Sequence, residues 1–412
     1  MLAGSAAIAL IAGVSTAFAQ ELTIESWRVE DAGIWRDQII PAFETANPGI
    51  TLTFAPTSPD EYDSALSGRL EGGTAGDLIA CRPFDVSLKL FEAGYLAPLD
   101  DLPGMDTLPP VAKVAWSTDD QATTFCVPMG MAIQGFIYNK EAFDALGLKP
   151  PRTVAEFHQV LDALAADGRY IPLALGTNDL WEAATVGYQN IGPTYWKGEP
   201  GRLGLIAGTQ KLSDEAWIAP YRELGSWRRY LGSGFEAQSY SDSQNLFTLG
   251  RAAIYPAGSW EIPGFTANAP FAMGAFAPPV VNASDTCIIT ERPEIGIGLN
   301  AKSLHPEAAK AFLSFVASQQ FGRIEANALP GLYAPSSEAA TIADPLAREF
   351  ASWRDRCETT IASTSGVLSR GTPNLEADTR KAAVQVIRGA ETPESVAARL
   401  QAGLDGWYTP PE

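Results

Sequence analysis

The chain has 412 residues, nearly half of them hydrophobic and one tenth aromatic, enough to bury more than one core. Its formal net charge of −19 disfavours nucleic acid and anionic membrane surfaces as partners. Nothing in this balance names a ligand.

The chain begins with an apolar run over residues 6–14. Ala17-Phe18-Ala19 then follows a small-x-small rule before Gln20. This predicts a secretory signal peptide over 1–19, although no Lys or Arg precedes the run; a buried core helix is the alternative. No other stretch carries 18 uninterrupted apolar residues, so the remainder is expected to be soluble.

Leu22 to Trp27 alternates like a strand. Asp31 is placed to cap a helix carrying Ile34, Trp35, Ile39 and Phe43, which Pro41 should kink or restart. Asn47-Pro48-Gly49 is a turn, and Ile50 to Phe54 is a second strand. This β-α-β opening favours a parallel sheet covered by helices. A helix from Asp60 to about Leu70, a glycine-rich loop over 72–76 and a strand over Asp77 to Cys81 come next. A phosphate cradle is disfavoured there, since that loop precedes its strand and no GK[ST] follows.

Residues 133–138 read as a buried strand, and Asn139 as the N-cap of a helix ending near Gly147. Thr153 and Glu156 form a capping box for a helix over 153–167, followed by a strand over 171–175. A polar loop over 176–182 carries one large aromatic, Trp181. The segment 193–240 is rich in Trp and Tyr at helical spacing and reads as core. Helix, strand and glycine turn then lead to Trp260. Residues 278–294 read as a polar connector, 295–300 as a strand and 345–412 as mostly helical.

Four cysteines, at 81, 126, 287 and 357, allow three connectivities. We expect Cys81–Cys126 and Cys287–Cys357, each closing a loop within one half of the chain; four buried free thiols are the alternative. No CxxC or Cys/His cluster points to a metal, and no cofactor is expected.

Several stretches resemble one family. They are Val127-Pro128, Ile137-Tyr138-Asn139-Lys140 with Phe143 and Gly147, and Pro150-Pro151-Arg152-Thr153 with Glu156-Phe157. Gly76-Asp77-Leu78-Ile79, Gly250-Arg251-Ala252-Ala253-Ile254 with Gly258-Ser259-Trp260, and Pro306 to Phe312 add to them in the same order. Together they are similar to family 1 of the extracellular solute-binding proteins, the maltose-binding-protein-like sugar-binding subunits of bacterial ABC importers. The resemblance implies an α/β fold of two lobes with hinge-crossing segments and a central cleft. Lobe one would hold 20–129 and 288–330, and lobe two 130–287 and 331–412. It also implies a periplasmic monomer that closes on a mono- or oligosaccharide and delivers it to membrane permease subunits.

A sugar needs an aromatic plate for its C–H face and polar side chains for its hydroxyls. Trp260 matches the family's stacking aromatic. Trp181, Asn178 and Asp179 sit in the loop after a strand, where crevice residues collect. Trp27, Arg28 and Glu30 follow the first strand, and Arg82 and Asp85 follow the strand ending at Cys81. Tyr62 near a helix start, and Gly331 and Tyr333 after a hinge-like turn, complete the candidates. At Ala132 relatives often carry a polar contact residue, which argues against a standard malto-oligosaccharide site; Gln134 lies nearby on the same strand face.

Two other functions compete. An exported glycoside hydrolase needs two carboxylates across the scissile bond, and the many acids permit such a pair. No Gly-x-Ser-x-Gly, HExxH or P-loop is present, and the two histidines, His158 and His305, form no catalytic group. A binding protein for polyamine, ferric ion or an acidic sugar is the other, with Arg28, Arg82 and Arg370 leaving an anionic ligand open.

Overall fold

The computed structural model describes residues 20–411; the expected signal peptide over 1–19 lies outside the described residues. Strands β1 (Gln20–Ser26), β2 (Ile50–Pro56) and β3 (Leu78–Cys81) are parallel, in the order β2-β1-β3. Two long strands then continue this sheet with antiparallel pairing: β4 (Cys126–Asn139) and β8 (Ile288–Leu299). Beyond β4 lie β6 (Ala252–Gly258), antiparallel to it, and β5 (Ile171–Leu173), parallel to β6. Strand β7 (Met273–Phe276) pairs with β4, and β9 (Glu358–Thr360) with β8. The sheet is therefore mixed rather than parallel. β4 and β8 leave one core and enter another, and a strand that crosses between cores pairs with whatever direction it meets.

The first half of β4, Cys126 to Ile133, pairs with β8, while Gln134 to Asn139 pair with β6 and β7. One apolar core gathers Leu22, Trp35, Phe43, Leu78, Trp116, Val127, Ile297 and Phe312. A second gathers Phe136, Leu161, Trp196, Trp217, Trp227, Ile254 and Val386, and a third Ile133, Tyr255, Phe350 and Trp353. Within the second, Trp196 and Trp217 stack with centroids 4.3 Å apart. Of the aromatics of 193–240 expected in the core, Trp196, Trp217, Tyr221, Trp227 and Tyr230 are buried there, whereas Tyr195 is half-buried outside it and Tyr240 is described below.

A third segment crosses beside β4: Met131 and Tyr333 exchange two backbone hydrogen bonds, each 2.9 Å. The molecule is thus a two-lobe α/β fold joined by three crossing segments, with a cleft between the lobes. Among the described residues no helix is long and apolar enough to cross a membrane.

Several local expectations hold for the reasons given. Asn139 Oδ1 accepts from the backbone N–H groups of Glu141 and Ala142, and Thr153 and Glu156 close a reciprocal capping box. Disulfides join Cys81 to Cys126 and Cys287 to Cys357. Two expectations are corrected. The connector read over 278–294 ends earlier, because β8 begins at Ile288. Its polar residues are satisfied across the hinge: Arg354 donates to both Glu291 oxygens at 3.0 and 2.6 Å, and Thr290 donates to the Gln189 carbonyl. A strand buried among polar partners carries no apolar alternation to reveal it. Asp31 makes no side-chain cap; its carboxylate holds the Arg28 guanidinium.

Candidate functional site

Where the crossing segments converge, the cleft contains a chamber of about 470 Å³. Its aromatic side is Trp181, Tyr240 and Trp260; Arg28, Arg292, Glu294 and Arg380 supply charge, and Ala132 and 329–332 close the base. A second chamber of about 370 Å³ shares Arg292 and Arg380 with the first and carries Asp85, Gln134, Thr185, Asn374 and Thr379.

The aromatic side comes from three places in the chain. β6 ends at Gly258, and a 3-10 turn over Ser259–Glu261 presents Trp260. The indole lies directly on Gly258: an added Cβ there would sit 2.1 Å from Trp260 Cζ3, so the position admits no side chain. Tyr240 opens the helix Tyr240–Thr248, whose N-cap Ser239 forms a capping box with Asp242. Trp181 meets Tyr240 edge-on, centroids 4.6 Å apart. Trp260 Nε1 donates to the Tyr240 hydroxyl at 3.1 Å and to Glu261 Oε1 at 3.2 Å.

Each arginine of the first chamber has an acid beside it. Arg28 bonds Asp31 and approaches Glu30 at 3.5 Å; Arg292 pairs with Glu294 at 2.9 Å; Arg380 pairs with Glu376. Burial raises the Glu294 carboxyl above its ordinary range, opposed by Arg292 and Arg28. A guanidinium has five N–H donors, and one carboxylate leaves some of them free. The chamber thus offers an aromatic wall and hydrogen-bond donors with little excess charge.

Behind the wall lie two buried acids. Burial pushes the Glu182 carboxyl up to about 8, partly offset by a hydrogen bond from Ser243. Glu261 is also raised by burial, opposed by bonds from Tyr240, Gln244 and Trp260.

Of the candidates named from sequence, Trp260, Trp181, Arg28 and Gly331 line the first chamber and Asp85 the second. Gly331 has φ +98°, and its carbonyl accepts from Ser259 Oγ at 2.5 Å. The others stand elsewhere. Tyr62 is 1% exposed and donates to the Ala80 carbonyl at 2.8 Å; Tyr333 is fully buried and donates to the Ala347 carbonyl at 2.9 Å. Both tyrosines are core anchors, not rim residues. Arg82 lies over the Trp27 ring at 4.5 Å and bonds Asp63 at 2.9 Å, so the two occupy each other outside both chambers. Glu30 and Asn178 are exposed and line neither chamber. Asp179 Oδ2 accepts from the Tyr240 N–H at 2.7 Å and so holds the aromatic helix rather than lining the chamber.

Sequence reasoning missed Tyr240, Arg292, Glu294 and Arg380. By spacing Tyr240 reads as one more core aromatic; the signal that finds it is the capping pair Ser239 and Asp242, which sets it at a helix start. Arg292 and Glu294 lie in the segment whose composition reads as a connector and which the structure shows to be β8. Arg380, far along the chain, left no local signal.

A family model described as bacterial extracellular solute-binding protein matches residues 28–321. Over 291 residues the chain is 23% identical to the multiple sugar-binding protein of Streptococcus mutans serotype c, covering 68% of this chain and 67% of that protein. Over 365 residues it is 25% identical to the mannitol-binding protein of Pseudomonas aeruginosa, covering 80% and 78%. Its fold matches the apo form of RafE from Streptococcus pneumoniae with a TM-score of 0.75 at 18% identity, over 94% of this chain and 98% of that one. The chain belongs to the family of bacterial extracellular solute-binding proteins.

Proposed function

We propose that this protein is the periplasmic sugar-binding component of an ABC importer, holding a carbohydrate in the interlobe cleft and passing it to membrane permease subunits without turning it over. The observation that carries this is the wall of Trp181, Tyr240 and Trp260 facing Arg28, Arg292 and Arg380 within one chamber. Flat π-surfaces take the C–H face of a pyranose, and guanidinium N–H groups with spare donors take its hydroxyls. The relatives' names point the same way, to sugars and a sugar alcohol. In this reading Trp260, Trp181, Arg28, Tyr240, Arg292 and Arg380 are the ligand-contacting residues. The lobes are 20–129 with 288–330, and 130–287 with 331–412. Two disulfides suit an oxidising compartment such as the periplasm.

The paired charges favour a neutral sugar over an acidic one, because each chamber arginine already has a carboxylate beside it. Hydrolysis is disfavoured on the same geometry. Glu294 in the first chamber and Asp85 and Glu376 in the second are each engaged by an arginine, not set as a free pair across a bond. The test is a thermal-shift screen with neutral mono-, di- and trisaccharides, mannitol and uronic acids, followed by calorimetry. A neutral sugar should raise the melting temperature. A shift with polyamines, screened alongside, and with no sugar would defeat the reading, as would turnover of aryl glycosides; a shift with uronic acids alone would overturn the preference for a neutral sugar.

A further inference from the structure

Glu261 lies behind the aromatic wall and is 3% exposed. Its chain position explains the burial: it closes the 3-10 turn that follows β6, so Trp260 faces the chamber and the next side chain turns back into lobe two. The helix Tyr240–Thr248 meets it with two residues of one face, Tyr240 and Gln244, four positions apart. The Tyr240 hydroxyl donates to Glu261 Oε1, and Gln244 Nε2 donates to Oε2 at 2.7 Å. Trp260 Nε1 donates to the same Oε1 at 3.2 Å. One carboxylate therefore receives hydrogen bonds from two of the three wall aromatics, which belong to different elements. Bonds to an ionised acceptor are about twice as strong as neutral ones, and more so away from water.

We propose that Glu261 is the positioning residue of this wall, a claim that rests on the cleft being the ligand site. It does not touch the ligand. It holds the Trp260 indole and the Tyr240 ring at fixed angles before any ligand arrives. Gly258 cooperates by leaving room for the indole to lie flat on the strand end. A wall ordered in advance spares the binding step the cost of immobilising those side chains. The third aromatic, Trp181, is carried by its edge contact with Tyr240, so the carboxylate orders it indirectly.

The test follows the Trp260 indole N–H by nuclear magnetic resonance in the ligand-free full chain, with the signal assigned by its absence in Trp260→Phe. In the unsubstituted protein this proton should exchange slowly with solvent. Glu261→Ala should accelerate exchange by at least roughly tenfold, as expected for loss of a hydrogen bond to a charged group. Tyr240→Phe, which keeps the carboxylate, should accelerate it less than Glu261→Ala does. Glu261→Gln keeps an acceptor oxygen and should keep exchange slow while moving the indole proton upfield as the bond becomes neutral. If Glu261→Ala lowers the melting temperature yet leaves exchange near its original rate, the carboxylate serves packing alone and the proposal falls. It falls equally if Tyr240→Phe alone reproduces the full acceleration, or, should the alanine variant not fold, if Glu261→Gln leaves the indole shift unmoved. No sugar enters the measurement, so its outcome is independent of whether the sugar screen succeeds.

Discussion

Arg370 grips Asp85 across the cleft, with Nε 2.9 Å from Oδ1 and Nη2 2.7 Å from the same oxygen. Asp85 begins a helix whose Leu88 belongs to the first core, whereas Arg370 follows Leu368 of the second. The same guanidinium reaches Asp119 at 2.6 and 2.9 Å, so two acids of one lobe hold one base of the other.

These groups are about one third to one half exposed, so screening limits the energy of each pair to about 1 kcal/mol or less. That is enough to bias a two-state hinge. Arg370→Ala is expected to open the ligand-free protein, read as a larger radius of gyration in small-angle scattering at low salt. The unsubstituted protein should approach the same value in about 1 M salt, where the Debye length is about 3 Å. Identical scattering for both proteins at both salts would remove the bridge from the account of closure.

Trp260→Ala should weaken binding of the sugar found by the screen at least tenfold, about 1.4 kcal/mol, with the fold intact. Calorimetry measures this directly, and circular dichroism checks the fold. Unchanged affinity would move the ligand away from the aromatic wall.

Glu182 makes a prediction for stability against pH. Its folded value of about 8 lies above the ordinary 4.5, so between those values the folded chain binds the proton and the unfolded chain does not. The contribution of protonated Glu182 is therefore fully present below about pH 4.5 and is lost as pH rises through about 8. The expected slope within that window is at most ~1.4 kcal/mol per pH unit. Glu182→Gln cannot ionise and should flatten this part of the profile, gaining most at pH 8. Parallel melting curves for the two proteins from pH 5 to 8 would contradict it.

Gly331→Ala tests the hinge. The residue has φ +98°, and an added Cβ would meet the Ser259 carbonyl oxygen at 2.0 Å, a backbone atom that cannot swing aside. The expected cost is on the order of 2 kcal/mol, from positive φ and the clash together. A denaturant titration measures it, and a variant as stable as the original would mean that this crossing segment shifts freely.

Much of the molecule was legible because its signals are local. The cap at Asn139, the capping box at Thr153, the glycine turn before Trp260 and the family's ordered motifs each need only a few neighbouring residues to be recognised. So does the aromatic candidate itself, since an indole after a strand-ending glycine has few places to go. The strand β8 was legible only in its second half, where Ile295, Ile297 and Leu299 are buried in a core. Its first half, with Thr290, Glu291 and Arg292, takes its order from partners supplied by distant segments.

The ordered motifs, through the family resemblance they carry, pointed without any structure to the family, to the two-lobe α/β architecture it implies and to Trp260 as the leading candidate. Tertiary structure alone decided which polar groups share the cleft. Arg28, Arg292 and Arg380 meet there because the crossing strands and the helix Leu375–Arg388 converge, and Tyr62, Tyr333 and Arg82 are withdrawn because nearby partners claim them. The physical reason is range. Helix caps and strand periodicity act over a handful of residues, whereas a charged side chain takes whichever partner the fold brings within about 3 Å, and chain separation carries no trace of that choice.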